Sequence, residues 1–283
     1  MFGDPWIDRG IGLINTFRTA FRRIDQPEIG WGDLVLDIGC GDNPHPRADV
    51  ACDFLFDDWE RGEPLVVDRP FFWADSSRLP LRSGAFDYAI MSHVLEHVRA
   101  PGKALDELQR ISRAGYIETP NAFHEFAIPY TSHLSRCTLM DGKLRITFKE
   151  RWNETLDGPQ FADVRHDMQK TYWDLHDREA RALLTIFHWK GHIDYEVCGT
   201  PIPTKPKELA AGEPVPDRRS KVRRAATELV RFAMRPHKKV DLPSLLACPL
   251  CHGDLVFATD RAECPPCRRT FRTFRSHLDF RIE

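Results

Sequence analysis

The chain has 283 residues, 42% hydrophobic and 29% charged, with a formal net charge of −2. These proportions suit a folded protein with one sizeable core and room for a small second unit, and they exclude disordered and collagen-like chains. No stretch approaches the length of a membrane span, and the opening Met-Phe-Gly-Asp-Pro-Trp lacks the basic-then-apolar form of a secretory signal, so a cytoplasmic location is expected.

In chain order, Ile14, Phe17, Phe21 and Ile24 recur at helical spacing, which predicts an amphipathic helix over 10–24. Apolar strand-like runs follow at 33–38, 49–53, 71–74, 86–91 and 115–119, with helical patterns near 92–98 and 102–112. Strands alternating with helices predict parallel strands and crossover helices, an α/β doubly wound sheet. In that architecture ligands sit beyond the carboxyl ends of the strands. After Asn121 the pattern changes. Alternation around Asp141-Gly142 predicts a β-hairpin over 137–148, since Asp-Gly suits a type I′ turn. A second hairpin is expected over 183–198, turning at Lys190-Gly191 and supplying antiparallel strands to the sheet. Residues 201–217 hold five prolines and read as a linker. A basic helix is expected at 219–235, ended by Pro236, with a cysteine-rich unit from about Asp241. The organisation is therefore 1–200, 201–240 and 241–283.

The charge is unevenly spread. Residues 218–239 carry nine Lys/Arg and one Glu, and 240–283 carry six charges of each sign, which leaves −10 for the first 217 residues. Such an acidic region is a poor match for a polyphosphate, so any nucleic-acid contact falls to 218–239. That helix, with its Val222, Ala226, Leu229 and Ala233 stripe, is also suited to peripheral contact with anionic lipid, or to a solvated role against the acidic region.

The most informative stretch is Val35-Leu-Asp-Ile-Gly-Cys-Gly41. A β-type run delivers Asp37, and then Gly39 and Gly41 allow a tight turn and close approach of a ligand to the backbone. Asp53 closes the next run, Asp75-Ser76 follows the third, and Phe86-Asp-Tyr-Ala-Ile-Met-Ser-His-Val-Leu-Glu-His-Val98 carries the fourth. Each Asp alone reads as a turn or cap; the ordered set resembles class I S-adenosylmethionine (SAM)-dependent methyltransferases, especially their type 11 subgroup. The resemblance implies a Rossmann-like sheet and a SAM site. In it Asp37 holds the glycine loop or reaches the cofactor's amino group indirectly, Gly39 and Gly41 approach the methionine moiety, Asp53 binds the ribose hydroxyls, Asp75 and Ser76 meet the adenine, and Ser92, at the end of strand four, also borders the cofactor. One departure is that Asp42–Asp49 is short and holds Pro44 and Pro46, which oppose a helix after the loop. The form of this loop resembles a branch often found among bacterial glycan-assembly genes.

Methyl transfer requires an in-line nucleophile and positioning, and a hydroxyl acceptor benefits from a base. Ser92, His93 and Asn121 occupy the acceptor-facing strand ends. His93 is the candidate base, on the expectation of a neutral imidazole, with His124 and His133 in reserve; Glu96 and His97 read as helix packing. The expected reaction is O-methylation of a saccharide or other small metabolite, with a glycan acceptor that lipid linkage would suit. The alternatives are an RNA or protein methyltransferase and a non-catalytic scaffold. No Asn/Asp-Pro-Pro-Tyr motif follows strand four, which argues against base N-methylation.

Cys248-Pro-Leu-Cys251 and Cys264-Pro-Pro-Cys267 are separated by twelve residues. Two such knuckles present four thiolates to a structural Zn²⁺. The surrounding run, Leu245-Leu-Ala-Cys-Pro-Leu-Cys-His-Gly-Asp-Leu-Val256 with Phe271, resembles the Trm112-like zinc ribbon, whose members commonly bind methyltransferases. The usual apolar Gly-Ile-Pro ending is replaced by Arg275-Ser-His-Leu-Asp279, which removes the basis for giving that tail a binding role.

Overall fold

Short β-rich runs bounded by turn formers lie side by side as β1 (Val35–Ile38), β2 (Val50–Asp53), β3 (Phe71–Trp73), β4 (Tyr88–Ser92) and β5 (Ala114–Pro120). In the computed structural model, which describes residues 27–55, 64–127, 132–150, 180–202, 225, 228–229, 232–233 and 238–282, these five strands pair in parallel. β8 (Leu184–Lys190) adds antiparallel to β5, which gives a mixed sheet of order β3-β2-β1-β4-β5-β8. The alternation of strands and helices thus produces the expected α/β fold. The helix expected over 10–24 lies outside the described residues.

α1 (Pro101–Ile111) begins on a proline at its first turn, where the missing N–H has no helical partner to lose. Its buried Ala104, Leu105, Leu108 and Ile111 recur at helical spacing and cover one sheet face. The expected helix near 92–98 is only a 3₁₀ turn, Leu95–His97. α2 (Ala122–Ala127) follows β5.

The first hairpin is present as β6 (Ser135–Met140) and β7 (Lys143–Phe148). Asp141 and Gly142 have φ of 52° and 80°, both left-handed as a type I′ turn demands. The second hairpin is a misreading. The chain does turn at Gly191, but β9 (Tyr195–Cys198) pairs in parallel with β7 and not with β8. Ile193 explains the diversion: its side chain is buried in the core and its N–H donates to Gln109 Oε1 of α1 at 2.9 Å. That anchor carries the chain away from β8 into a separate three-stranded sheet, β6-β7-β9.

The cysteine-rich unit comprises α3 (Leu242–Leu245), β10 (Val256–Phe257), β11 (Arg261–Cys264), β12 (Arg269–Phe274) and β13 (His277–Leu278), with its four strands antiparallel. It closes onto the free edge of β3. Asp279 bridges Trp73 in parallel, and Phe280 N–H donates to Trp73 O at 2.9 Å. Trp73 Nε1–H donates to Phe274 O at 3.0 Å. Phe280 sits edge-on to Phe72, and Leu246, Cys248 and Phe271 join the core that contains α1. The tail left without a binding role by its sequence is therefore a docking segment within the chain. Its backbone covers a sheet edge that would otherwise expose unpaired groups.

Candidate active site and four-cysteine cluster

Strand register decides which side chains meet. Asp37 lies beside Ala51 and Ile90, Asp53 beside Trp73, Ile90 beside Tyr116, and Ser92 beside Glu118. Laterally paired residues share a face, and alternate residues along a strand return to it. Asp37, Asp53, Ser92, Tyr116 and Glu118 therefore project from one face, near the carboxyl ends of parallel strands. The opposite face, with Leu36, Phe72, Met91 and Ile117, packs in the core with α1 and the cysteine-rich unit.

The loop after β1 is held by its own backbone. Gly39 and Gly41 have φ of 69° and 56°, in the region glycine adopts without strain. The N–H groups of Gly39 and Cys40 both donate to Cys52 O, at 2.8 and 3.2 Å. Asp53 accepts from Gly41 N–H at 2.9 Å and from Leu55 N–H at 3.0 Å, so it fastens the loop to the end of β2. Buried Asp37 accepts from His45 N–H at 2.6 Å. Residues 41–47 are turns and bends with no helix, as the two prolines require.

An open cleft of about 360 Å³ is lined by Asp37, Gly39, Asn43, His45, Ser92, Tyr116 and Glu118, among others. It gathers Asp37, Gly39 and Ser92. Gly41, Asp53, Asp75 and Ser76 stand outside its lining, toward β2 and β3. Asp75 accepts from Ser77 N–H and Oγ–H, both at 2.8 Å, as a local turn, and Ser76 is buried. These residues fit a SAM site: a bare-backbone loop, carboxylates on one face and a cleft where the strands finish. Each carboxylate offers about four acceptor positions, so Asp53 can hold its two backbone donors and still receive ribose hydroxyls.

Sequence reasoning missed Glu118 and Tyr116. Glu118 accepts from Ser92 Oγ–H at 2.9 Å and from the Tyr116 hydroxyl. Its signal was an acidic residue inside an otherwise apolar strand, Tyr-Ile-Glu-Thr-Pro.

His93 is 45% exposed and lies between two carboxylates, with Nδ1 3.5 Å from Glu96 Oε1 and Nε2 3.3 Å from Glu118 Oε1. Its φ of 56° is left-handed, a strained position for a non-glycine residue. Burial pulls its pKa down, but the contacts with Glu118 and then Glu96 outweigh that and push it up to about 10. The expectation of a neutral imidazole at position 93 is not met here. For Glu96, burial pushes the pKa up, and the contact with His93 and the charges of His97 and His133 outweigh it, bringing it to about 2. The stabilisation from His93 is whole below its unfolded value near 6.5 and disappears as pH rises through about 10. That from Glu96 is whole above 4.5 and disappears as pH falls through about 2. Ring-nitrogen NMR should therefore find His93 doubly protonated throughout the neutral range; a midpoint near 6.5 would contradict this geometry.

The four cysteines converge as expected. Cys248 Sγ lies 3.9 Å from Cys267 Sγ and Cys251 Sγ 3.5 Å from Cys264 Sγ, with all four sulfurs mutually within 4.8 Å. A disulfide requires about 2.05 Å, whereas a tetrahedron with zinc–sulfur bonds of about 2.3 Å sets sulfurs about 3.8 Å apart. The cluster has the dimensions of a tetrathiolate metal site.

Residues 36–117 match the family described as "Methyltransferase domain". The demethylmenaquinone methyltransferase of Paenarthrobacter aurescens is 31% identical over 125 residues, 40% of this chain and 49% of its own length. That of Renibacterium salmoninarum is 32% identical over 131 residues, 41% and 55% of the two lengths. The chain thus spans about half the length of these curated relatives. A SAM-dependent methyltransferase structure from Thermotoga maritima aligns at 19% identity and a TM-score of 0.27, over 38% of this chain and 50% of that one. Residues 36–117 thus match a methyltransferase domain, within an α/β fold that has a four-cysteine unit closed onto its edge.

Proposed function

We propose that the chain transfers a methyl group from SAM to a small hydroxylated acceptor, with a saccharide or comparable metabolite as the preferred class. One observation carries this reading. The motif loop, Asp37, Ser92 and Glu118 face one cleft at the carboxyl ends of β1, β4 and β5. SAM would supply an electrophilic methyl on a cationic sulfur. Asp53 would hold the ribose, Asp75 and Ser76 the adenine side, and Gly39 the close approach of the methionine moiety. Glu118, Ser92 and the His93 imidazolium would orient acceptor hydroxyls. His93 in its protonated form donates hydrogen bonds and does not remove a proton.

A second reading follows from the relatives, which are named demethylmenaquinone methyltransferases: the acceptor would then be a reduced quinone. Incubation with methyl-labelled SAM separates the two. Label appearing in a saccharide fraction supports the first, label in demethylmenaquinol the second, and no label in either sinks both. Asp53→Asn should weaken SAM binding by about ten- to a hundredfold in calorimetry, since a hydrogen bond to a charged group contributes about 1.5–3 kcal/mol. Unchanged affinity would remove Asp53 from the site.

The four cysteines, in this reading, hold a structural Zn²⁺ with no open position. A peripheral membrane role is supported by Leu229 and Phe232, helical and 67% and 77% exposed within the basic segment. Such a surface suits anionic lipid and a lipid-linked acceptor. No described helix is long and apolar enough to cross a membrane.

A further inference from the structure

Past the ends of β4 and β5, a second polar cluster is buried between the 3₁₀ turn, α2 and the start of β6. Glu96 is 1% exposed, yet neither of its carboxylate oxygens receives a hydrogen bond among the described residues. His93 Nδ1 lies 3.5 Å from its Oε1. Burying a carboxylate without donors is costly, and a native fold that does so calls for a ligand. The imidazole rings of His97 and His133 stand 4.5 Å apart at 88°. One ligand atom each from Glu96, His97 and His133 falls within 4.8 Å of the others.

The surroundings resemble the outer shell of a metal site. His133 Nδ1 is turned to Glu125 Oε1, which places the ring's lone pair on Nε2 when Nδ1 carries the proton. Glu125 is in turn paired with buried Lys149 at 2.7 Å. Leu134 N–H donates to Glu96 O at 2.8 Å, locking the 3₁₀ turn to the segment that carries His133. Lys149 answers Glu125, and His93 is shared between Glu118 and Glu96.

We propose that Glu96, His97 and His133 bind a divalent transition-metal ion, with an open coordination position for an oxygen of the methyl acceptor. Two imidazoles and one carboxylate form a borderline donor set suited to Zn²⁺, Mn²⁺, Fe²⁺ or Co²⁺. Three protein ligands leave positions for an exchangeable oxygen, unlike the closed tetrathiolate. The chain Glu96–His93–Glu118 joins this cluster to the cleft through contacts of 3.5 and 3.3 Å. A cation there acidifies a bound hydroxyl. The ion's task as acceptor ligand rests on the methyltransferase reading; its binding does not.

The test uses the full, zinc-loaded chain titrated with Mn²⁺, with free ion counted by electron paramagnetic resonance and SAM uptake measured by calorimetry on the same samples. Mn²⁺ prefers oxygen and nitrogen donors and avoids the thiolates. One saturable equivalent is expected, with affinity falling at least tenfold in Glu96→Gln and in His133→Asn, and about ten- to a hundredfold in Glu125→Gln. Melting curves identify any variant that has lost its fold, and His97→Ala serves as the further ligand variant. The absence of saturable binding by the parent chain, or binding equal in all variants, overturns the site. SAM uptake without Mn²⁺ binding defeats the metal and spares the transferase reading; Mn²⁺ binding without SAM uptake does the reverse.

Discussion

Replacing Cys264 by serine is expected to lower the thermal midpoint of the whole chain by about 10 °C or more, and to weaken SAM binding at a site built from other residues. The first effect follows from the shared core. Phe280 packs on Phe72, Trp73 on Phe274, and Phe271 on Phe280. With the proposed metal bound, a cluster that loses one of its four thiolates no longer holds β11 and β12 together, and the unit closing the sheet edge loosens. Exposing Phe280, Phe271 and part of Trp73 forfeits about 1.5–3 kcal/mol for each large side chain. The second effect follows from Arg281. Its guanidinium is paired with Asp279 at 2.6 Å, stacks over Trp73 and Phe274 at 4.8 and 5.0 Å, and donates to Phe54 O at 2.8 Å. Phe54 follows Asp53, the ribose candidate. The tail of the cysteine-rich unit thus holds the chain that leaves β2, and freeing it loosens that carboxylate. Calorimetry should show one transition in the parent chain and an early, broadened one in the variant. A cysteine-rich unit that melts alone, with SAM affinity untouched, would show the two parts to be independent. Removing the metal with a chelator should reproduce the variant.

The parallel strands were legible because each is a brief apolar run closed by Asp, Gly, Ser or Pro, and that punctuation is local. The loop after β1 was legible for the same reason, as was its lack of a helix. What escaped reading depends on partners distant in sequence. The turn at Gly191 is real, but β9 is assigned to β7 because Ile193 is caught by Gln109, a contact between residues 84 apart. The docking of the cysteine-rich unit rests on hydrogen bonds such as Trp73 to Phe274, 201 residues apart. Nothing in Arg275-Ser-His-Leu-Asp announces that pairing, because backbone N–H and C=O groups carry it. Arg275 and Ser276 do make the turn into β13, with φ of 51° and 66°. The motif singled out Asp37, Gly39 and Ser92, which the structure brings to one cleft, whereas the setting of Glu96 was hidden by its own motif. Inside Leu-Glu-His-Val it read as helix packing, and only folding brings His133 against it.

Gly39→Ala should abolish measurable SAM binding while leaving a folded protein. Two costs meet at this position. Its φ of 69° is left-handed, which burdens a residue bearing Cβ by about 1–2 kcal/mol. A Cβ there would also stand 2.2 Å from Val94 Cγ2, closer than any real contact, so either the loop or Val94 must move. Val94 immediately precedes the 3₁₀ turn and follows His93, so displacing it would disturb the acceptor side as well. Moving the loop would break the Gly39 and Cys40 N–H bonds to Cys52 O and lift Gly41 from Asp53. Loss of three such interactions, at about 1–3 kcal/mol each, weakens a ligand by a hundredfold or more. The steric and dihedral parts can be separated by adding Val94→Ala. That second change removes the clash and leaves φ as it is, so the double variant should regain part of the lost SAM affinity. If Val94→Ala gives no recovery, the clash is not what disables the loop and the left-handed backbone alone is responsible. If Gly39→Ala binds SAM as well as the parent does, the cofactor does not approach this loop at all.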